Sequence, residues 1–336
     1  MSIRVAVIGA GSWGTALALV LARKGYETRL WAHNPARVAE LQEKRENVTY
    51  LKGYPLPGTM VPTADLAFAL DGAQLVVTVV PSHTMREVMT RAAPLLPRGV
   101  PIAAASKGIE NGTLMIMSEV QEAVLPAELH GQLTYLSGPS FAKEVAAELP
   151  TAVTVAGHDS AMAKRVQELF SASYFRVYVT EDVVGVELGG ALKNVMAIGA
   201  GVADGLGYGH NTRAALITRG IAEISRLAIK RGANPLTLAG LAGMGDLVLT
   251  CTGELSRNRS VGLRLGKGDK LPAILADMKM VAEGVKTTKS AYELAKREGV
   301  DMPLVREVYA ILYEDKPPEE AVVALMGRLP KHELGA

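Results

Sequence analysis

The segment Ile3–Ala18, IRVAVIGAGSWGTALA, decides the fold of the first half of the chain. Its run of Val and Ile is typical of a buried strand, and the Ala and Leu that follow are typical of a helix. Gly9, Gly11 and Gly14 lie between them. In this GxGxxG pattern the glycines permit a tight turn, the approach of a pyrophosphate and close helix packing, in that order. We therefore predict a dinucleotide site at the start of the helix.

Composition narrows the class of protein. The chain has 336 residues, 49% of them hydrophobic, which is enough for two domains with substantial cores. The net charge of +2 gives no electrostatic case for nucleic acid. The single cysteine, Cys251, fits a reducing compartment and is read as a small buried side chain. Because no signal peptide and no run of about 18 apolar residues are visible, we expect a cytoplasmic protein without a membrane span.

The first half of the chain alternates strands and helices. Apolar runs predict further strands at 27–32, 75–80, 101–105, 133–136, 151–156 and 176–180, with a helix at 35–44 and a loop at 47–63. Ser82 is read as a helix cap. This order predicts the α/β class, with a doubly wound, mostly parallel Rossmann-type sheet. Helical patterns fill the second half. We assign residues 1–184 to a dinucleotide-binding domain and 185–336 to an all-helical substrate domain.

The end of the second strand bears on the choice of cofactor. In the NAD-type motif an acidic residue closes this strand and holds the ribose 2′-hydroxyl. His33, Asn34 and Arg37 stand there instead. The pattern favours NADP mildly over NAD, although a solvated loop histidine is the alternative reading of His33. Tyr50, in the following loop, is read either as an adenosine contact or as loop packing.

Polar residues follow three of the predicted strands. They are Ser82, the pair Ser106 and Lys107, and the segment 137–140, SGPS. Ligands of doubly wound sheets bind beyond the carboxyl ends of the strands. Lys107 is therefore predicted to lie beside an anionic or carbonyl-bearing substrate and the nicotinamide. The alternative is a surface lysine.

A helix in the second half supplies a candidate base. The segment 187–203 is small or apolar on nearly every side, which is typical of a buried helix. Lys193 and Asn194 form an adjacent polar pair within it. Since burial favours the neutral form of a lysine, Lys193 is a candidate general base near neutral pH. The alternative is a lysine that extends to the surface from a packed helix.

Three later features complete the candidate site. Asp246 is a single carboxylate between apolar runs, and it is read as a partner of Lys193, a partner of a substrate hydroxyl or a helix cap. The segment 256–259, SRNR, carries two guanidiniums that match phosphate oxygens, or it is a solvated turn. Glu283 is within reach of a ribose or amide, but alone it is typical of a surface residue. No His, Cys and carboxylate cluster has ligand spacing, so we expect no metal.

Together these motifs closely resemble the soluble NAD(P)-dependent sn-glycerol-3-phosphate dehydrogenase family of bacteria, over nearly the whole chain. The resemblance rests on the segments 9–16, 106–108, 137–144, 188–194, 245–247, 251–252, 256–259 and 281–284. It implies an N-terminal Rossmann-type domain with an all-α domain, as in 6-phosphogluconate-dehydrogenase-like proteins. It also implies a homodimer that reversibly reduces dihydroxyacetone phosphate to sn-glycerol 3-phosphate for phospholipid synthesis.

The resemblance also assigns roles to residues. Lys193 matches the family's proton-transfer lysine. Positions that contact the substrate are matched by Lys107, Gly138, Ser140, Lys193, Asp246, Ser256, Arg257 and Asn258. Beside the glycines of the turn, positions that contact the dinucleotide are matched by Ser12, Trp13, His33, Tyr50, Lys107, Ala142, Arg257, Val281 and Glu283. The family often carries more basic residues after the second strand than His33 and Arg37.

Two other functions fit parts of the pattern. A related two-domain dehydrogenase would use the same arginine and lysine on a carboxylate-bearing hydroxy acid. A regulatory protein that senses dinucleotides would need the glycine turn but not a buried lysine beside a phosphate-binding arginine.

Overall fold

The computed structural model describes residues 3–278, 282–329 and 332–333. The strands in these ranges are β1 (Arg4–Ile8), β2 (Glu27–Trp31), β3 (Glu46–Asn47), β4 (Leu51–Pro55), β5 (Met60–Thr63), β6 (Leu75–Thr78), β7 (Ile102–Ala104), β8 (Leu133–Ser137), β9 (Thr151–Ala156) and β10 (Phe175–Thr180). In the sheet half, the helices are α1 (Ser12–Arg23), α2 (Pro35–Lys44), α3 (Leu66–Leu70), α4 (Met85–Ala92), α5 (Met117–Val124), α6 (Ala142–Ala146) and α7 (Ser160–Phe170).

The second half of the chain is helical throughout its described residues. Its helices are α8 (Val183–Gly205), α9 (His210–Lys230), α10 (Pro235–Ala239), α11 (Asp246–Thr252), α12 (Arg257–Gly266), α13 (Leu271–Asp277), α14 (Glu283–Glu298), α15 (Pro303–Tyr313) and α16 (Pro318–Met326). A π-helical turn, Leu241–Gly245, leads directly into α11.

Eight strands form one sheet in the order β10-β9-β8-β7-β6-β1-β2-β5, and β3 pairs with β4 separately. Neighbouring strands of the large sheet are parallel except for β8 and β9. From β1 the chain passes to β2 and β5, and then returns to β6 on the other side of β1. The strand order therefore reverses between β1 and β6. Ligands of doubly wound sheets bind in the crevice at this point.

Strand β1 is buried on both faces. Val5 and Val7 pack in one apolar cluster with Leu17 of α1, whereas Ala6 and Ile8 belong to a cluster on the opposite face. Alternate side chains of a strand point to opposite faces, so a continuous apolar run needs helices on both sides. The prediction of a doubly wound sheet with a C-terminal all-helical domain is confirmed.

Helix α8 is the core of the helical domain, as its composition predicts. Glycines let α8 and α12 meet backbone to backbone: a Cβ on Gly201 would lie 2.1 Å from the Arg259 carbonyl oxygen, and one on Gly262 would lie 2.0 Å from that of Ile198. Among the described residues, α8 alone is long and apolar enough to cross a bilayer, and 89% of its apolar window is buried in the protein. Burial of this kind is typical of the core helix of a globular domain.

Two local predictions are wrong. The predicted loop at 47–63 contains β4 and β5, and β5 pairs in parallel with β2 at the edge of the sheet. Pro62 lies in β5, and an edge strand tolerates a proline because one of its sides donates no ladder hydrogen bonds. Ser82 does not cap a helix, because its hydroxyl contacts Glu283 instead.

Glu223 stabilises the start of α15, and its loss tests this part of the fold. The buried carboxylate accepts hydrogen bonds from the backbone N–H groups of Leu304 (2.8 Å) and Val305 (3.3 Å). We expect Glu223→Ala to lower the free energy of unfolding by about 1–3 kcal/mol, because these buried donors lose their acceptor. Urea denaturation measures the change. Glu168→Ala, at an exposed position of α7, is the control, and an equal effect in both variants would contradict the expectation.

Candidate functional site

The glycine turn after β1 is shaped for a phosphate group. Gly9 has a φ of +122°, and a Cβ there would lie 2.5 Å from the Val79 carbonyl oxygen. A Cβ on Gly14 would lie 1.8 Å from the Gly9 carbonyl oxygen. At Gly11, by contrast, no described atom lies within 4 Å of the Cβ position. The open side of Gly11 and the first N–H groups of α1 therefore fit the pyrophosphate of a dinucleotide.

Two side chains flank this turn. Ser12 begins α1, and Trp13 follows it with a buried Nε1 that has no hydrogen-bond partner among the described residues. Asn47, only 1% exposed, donates to the Ala10 carbonyl oxygen (3.0 Å) and to Thr15 Oγ1 (2.8 Å). Asn47 thus joins the glycine turn to the next loop. The sequence analysis missed Asn47, because one asparagine inside a predicted loop gives no signal.

The loop that Asn47 holds carries Tyr50. The backbone N–H of Tyr50 donates to Asn47 Oδ1 over 3.1 Å. The guanidinium carbon of Arg37 lies 4.9 Å from the centre of the Tyr50 ring, and this arginine also bonds to Glu40 and Thr49. His33 is exposed just after β2. The structure therefore brings Arg37 and Tyr50 together at the end of β2 that the sequence analysis associates with the ribose.

A buried ion triad joins the two domains. Asp246, with 0% of its surface exposed, accepts from Lys107 Nζ through Oδ2 (2.7 Å) and from Lys193 Nζ through Oδ1. Lys107 follows β7, Lys193 lies on α8, and Asp246 begins α11. The prediction that Asp246 binds Lys193 agrees with this geometry. The pairing of Asp246 with Lys107 was not foreseen from the sequence.

Burial and the neighbouring charges shift the pKa values of Lys193 and Asp246. Burial lowers the pKa of Lys193 to about 7, since the attraction of Asp246 offsets only part of the desolvation and Lys107 repels the charge. Burial opposes the charge on Asp246, yet the two ammonium groups hold its pKa below the ordinary value. Lys193 is therefore a group that gains and loses a proton near neutral pH.

A turn after β8 contacts the triad. The Gly138 carbonyl oxygen accepts from Lys107 Nζ (3.4 Å) and from Ser140 Oγ (2.9 Å). Gly138 has a φ of +135°, and a Cβ there would lie 2.9 Å from Val153 Cα. Ala142 begins α6 directly after this turn. The structure thus places Gly138 and Ser140 beside Lys107.

The start of α12 lies against α8. Ser256 caps α12, its Oγ accepting from the Arg259 backbone N–H (3.2 Å). Asn258 donates to Asn194 Oδ1 (2.8 Å) and accepts from the Gly284 backbone N–H (3.0 Å). Asn194 directly follows Lys193 in α8. These contacts place the start of α12 next to the residue pair that contains the candidate base.

Arg257 is the first residue of α12. Its partial removal from water lowers its pKa, and the nearby Glu283 carboxylate opposes that shift. Glu283 begins α14 and accepts from Ser82 Oγ over 2.6 Å. Val281, a further predicted dinucleotide contact, lies outside the described residues.

Thr250 is a second residue that the sequence analysis missed. Its hydroxyl donates to the Asp246 carbonyl oxygen at 2.6 Å and lies 3.4 Å from Asp246 Oδ1. Thr250 lies one helical turn after Asp246. Threonine hydroxyls within helices often donate to the carbonyl oxygen of the preceding turn, as this one does. Across residues 3–278, 282–329 and 332–333, no group of three or more His, Cys, Asp or Glu side chains has the arrangement of a metal site.

Comparison with known proteins identifies the family. A model described as the N-terminus of NAD-dependent glycerol-3-phosphate dehydrogenase matches residues 4–163, and a model of its C-terminus matches residues 182–323. A glycerol-3-phosphate dehydrogenase (NAD(P)+) from Geobacter sp. strain M21 is 59% identical over 333 residues, 99% of each chain. The chain belongs to the NAD-dependent glycerol-3-phosphate dehydrogenase family.

Other members of this family match this chain over nearly their whole length. The Myxococcus xanthus glycerol-3-phosphate dehydrogenase (NAD(P)+) is 59% identical, with 98% of this chain and 99% of the relative covered. The crystal structure of glycerol-3-phosphate dehydrogenase from Coxiella burnetii superposes with a TM-score of 0.93 at 44% identity, covering 97% of this chain and 99% of the other. The predicted family and the predicted class, an NAD(P)-dependent oxidoreductase, are confirmed.

Two glycine substitutions in this turn test its roles in folding and in dinucleotide binding separately. We expect Gly11→Ala to keep the wild-type melting temperature, because a Cβ there meets no described atom within 4 Å. It should weaken NADPH binding at least about tenfold, because the Cβ would occupy space that the predicted site leaves for the pyrophosphate. Gly14→Ala should lower the melting temperature, since its Cβ collides with backbone. Thermal unfolding and NADPH titration measure the two effects. Unchanged NADPH affinity in Gly11→Ala would contradict this assignment of the turn.

Proposed function

We propose that this enzyme reversibly transfers a hydride between NAD(P)H and dihydroxyacetone phosphate, giving sn-glycerol 3-phosphate. The observation that carries the proposal is the buried triad, in which Asp246 holds Lys107 and a lysine with a pKa of about 7. Relatives named glycerol-3-phosphate dehydrogenase (NAD(P)+) cover almost the whole chain and support the choice of substrate.

The dinucleotide would lie across the carboxyl ends of β1 and β6. Its pyrophosphate would bind at glycines 9, 11 and 14 and at the start of α1. The rest of the dinucleotide would contact Trp13, His33, Tyr50, Ala142 and Glu283. When bound, the reduced nicotinamide supplies the hydride. His33 and Arg37 support a mild preference for NADP, because no acidic residue closes β2 to repel a 2′-phosphate.

The substrate phosphate would bind at the start of α12. Arg257 presents a guanidinium that matches phosphate oxygens, and Ser256 and Asn258 add polar groups beside it. Fixing the phosphate orients the carbonyl end of the substrate toward Lys193. Lys107, together with Gly138 and Ser140, lines the other side of that end.

Lys193 would move the proton. In the reductive direction its ammonium donates a proton to the carbonyl oxygen as the hydride arrives at carbon, and the amine accepts the hydroxyl proton in reverse. Asp246 orients Lys193 and stabilises its charged form, while Lys107 favours the neutral form by repulsion. A lysine in this balance exchanges protons near neutral pH.

The wider setting is part of the same proposal. We propose a cytoplasmic homodimer that supplies sn-glycerol 3-phosphate to phospholipid synthesis, on the family resemblance. Residues 1–184 would form the dinucleotide-binding domain and residues 185–336 the substrate domain. Sedimentation velocity tests the dimer directly, because a single species of about 36 kDa would contradict it.

The reaction itself is tested by absorbance at the reduced-nicotinamide band. With dihydroxyacetone phosphate as acceptor, we expect oxidation of both NADPH and NADH, the former moderately faster. A matched acceptor that carries a carboxylate in place of the phosphate should react poorly. Preference for the carboxylate would assign the site to a hydroxy-acid dehydrogenase, and no oxidation by folded, NADPH-binding protein would contradict dehydrogenase activity on these substrates.

Lys193 is tested by two substitutions. Lys193→Ala should lower kcat by roughly two to four decades, as for loss of an acid–base group. Lys193→Arg keeps the positive charge but releases no proton near neutral pH, so it should be similarly inactive in glycerol phosphate oxidation. Lys230→Ala, at an exposed position of α9, is the control. A Lys193→Ala enzyme within tenfold of wild type would remove Lys193 from this role.

The pH profile follows from the pKa of Lys193. Because that pKa is about 7, reduction should slow as pH rises through 7, when the ammonium is lost. Oxidation should speed up over the same interval, since the amine is then available. Initial rates in both directions from pH 5.5 to 9 measure this opposition, and parallel profiles would contradict it.

Arg257→Ala should raise KM for dihydroxyacetone phosphate at least about tenfold, because a charged, bidentate contact is lost. Arg264→Ala is a matched control on the same helix, where the guanidinium binds Asp269 and Asp277 at the surface. Steady-state kinetics at saturating NADPH separate KM from kcat. An unchanged KM would rule out Arg257 as the phosphate ligand.

A further inference from the structure

Ser82 connects the sheet to the helical domain. It follows β6, and only 4% of its surface is exposed to solvent. Its Oγ donates to Glu283 Oε2 over 2.6 Å, and its backbone N–H donates to Glu283 Oε1 over 3.4 Å. Two donors of one residue thus hold both oxygens of a carboxylate on α14.

This contact lies at the crevice between β1 and β6. A Cβ on Gly9 would lie 2.5 Å from the carbonyl oxygen of Val79, so the glycine turn rests against the chain just after β6. Ser82 comes three residues after Val79. The Glu283 carboxylate is therefore held near the point where the strand order reverses, where ligands of doubly wound sheets bind.

Ser82 is also enclosed from the side of the next strand. A Cβ on Gly108, in the loop after β7, would lie 2.5 Å from Ser82 Oγ and 3.5 Å from Thr287 Oγ1. One turn further along α14, Ser290 Oγ donates to the Ile109 carbonyl oxygen over 3.0 Å. One face of α14 thus packs along this loop, which leaves the serine hydroxyl little freedom to point elsewhere.

We propose that Ser82 is a positioning residue for the dinucleotide, fixing the Glu283 carboxylate over the crevice to accept hydrogen bonds from hydroxyl or amide groups of the ligand. The inference rests on the proposed function, because it takes a nicotinamide dinucleotide as the ligand. A carboxylate has about four acceptor sites, so Ser82 and the ligand bind it together. The glutamate side chain is then ordered before the ligand arrives, which reduces the entropy lost on binding.

A double-mutant cycle tests this coupling on the full-length protein. NADPH dissociation constants are measured by fluorescence titration, without a second substrate, for wild type, Ser82→Ala, Glu283→Ala and the double variant. We expect Ser82→Ala to weaken binding roughly 3- to 10-fold and Glu283→Ala at least as much. The double variant should match Glu283→Ala within about twofold, because Ser82 acts only through that carboxylate.

Two further variants keep the result independent of folding. Thr84→Ala removes a hydroxyl in the same turn that bonds only locally, to the Pro81 carbonyl oxygen, and should leave NADPH affinity within about twofold of wild type. Glu283→Asp keeps the charge but withdraws the carboxylate from Ser82, and should weaken NADPH binding as Ser82→Ala does. In turnover, Ser82→Ala should raise KM for NADPH while kcat stays within about threefold, a split that general destabilisation does not produce.

The outcomes separate this inference from the function on which it rests. Unchanged NADPH affinity in Ser82→Ala, or effects that add in the double variant, would overturn the role of Ser82 and leave the dehydrogenase intact. A wild-type protein that binds no dinucleotide would overturn both. Coupled NADPH binding without reduction of dihydroxyacetone phosphate would contradict the proposed reaction alone.

Discussion

One buried carboxylate links the two domains at the candidate site. Asp246 is completely enclosed and accepts from Lys107 of the sheet domain and from Lys193 of α8. An unpaired charge at such a position is strongly destabilising, and each of the two lysines supplies a compensating positive charge. Burial, which the attraction of Asp246 offsets only in part, leaves Lys193 with a pKa of about 7. A contact between the two domains therefore also sets the protonation of the candidate base.

Glycines determine where the chain places its polar side chains. At Gly14 and Gly201 a Cβ would lie within about 2 Å of backbone oxygen, so no other residue permits the observed packing. The first contact aligns α1 with the end of β1, and the second brings the start of α12 to α8. The glycine turn and the start of α12 therefore lie on elements whose positions are fixed by backbone contact rather than by adaptable side chains.

Much of this architecture is readable from the sequence because it follows from apolar periodicity. The predicted helix 35–44 has the observed bounds of α2, and the predicted strand 151–156 has those of β9. Strand β5 escaped prediction because it is short and contains Pro62, which an edge strand permits. The local sequence pattern does not indicate which strands lie at an edge, because strand order is a property of the assembled sheet.

The candidate site was predictable by residue type, whereas most of its pairings, apart from that of Lys193 with Asp246, were not. A lysine in an apolar helix and a carboxylate between apolar runs both require compensation, which is why Lys193 and Asp246 stand out in the sequence. The pairing of Lys107 with Asp246, the bond from Ser82 to Glu283 and the contacts of Asn47 all join distant parts of the chain. These partners meet only in the folded protein, so the spacing of the residues along the chain does not predict the pairs.

The backbone contact between α8 and α12 also affects which substrate lengths the proposed site would accept. Lys193 and Arg257 lie on helices whose backbones already touch at Gly201 and Gly262, so these two helices cannot pack closer together. In the proposed function, the phosphate and the carbonyl of the substrate would bind to groups on these two helices. We therefore expect a homologous ketone with one more carbon between its phosphate and its carbonyl to fit this pair of residues less well. Selection by chain length would then depend in part on two glycines in a contact between helices.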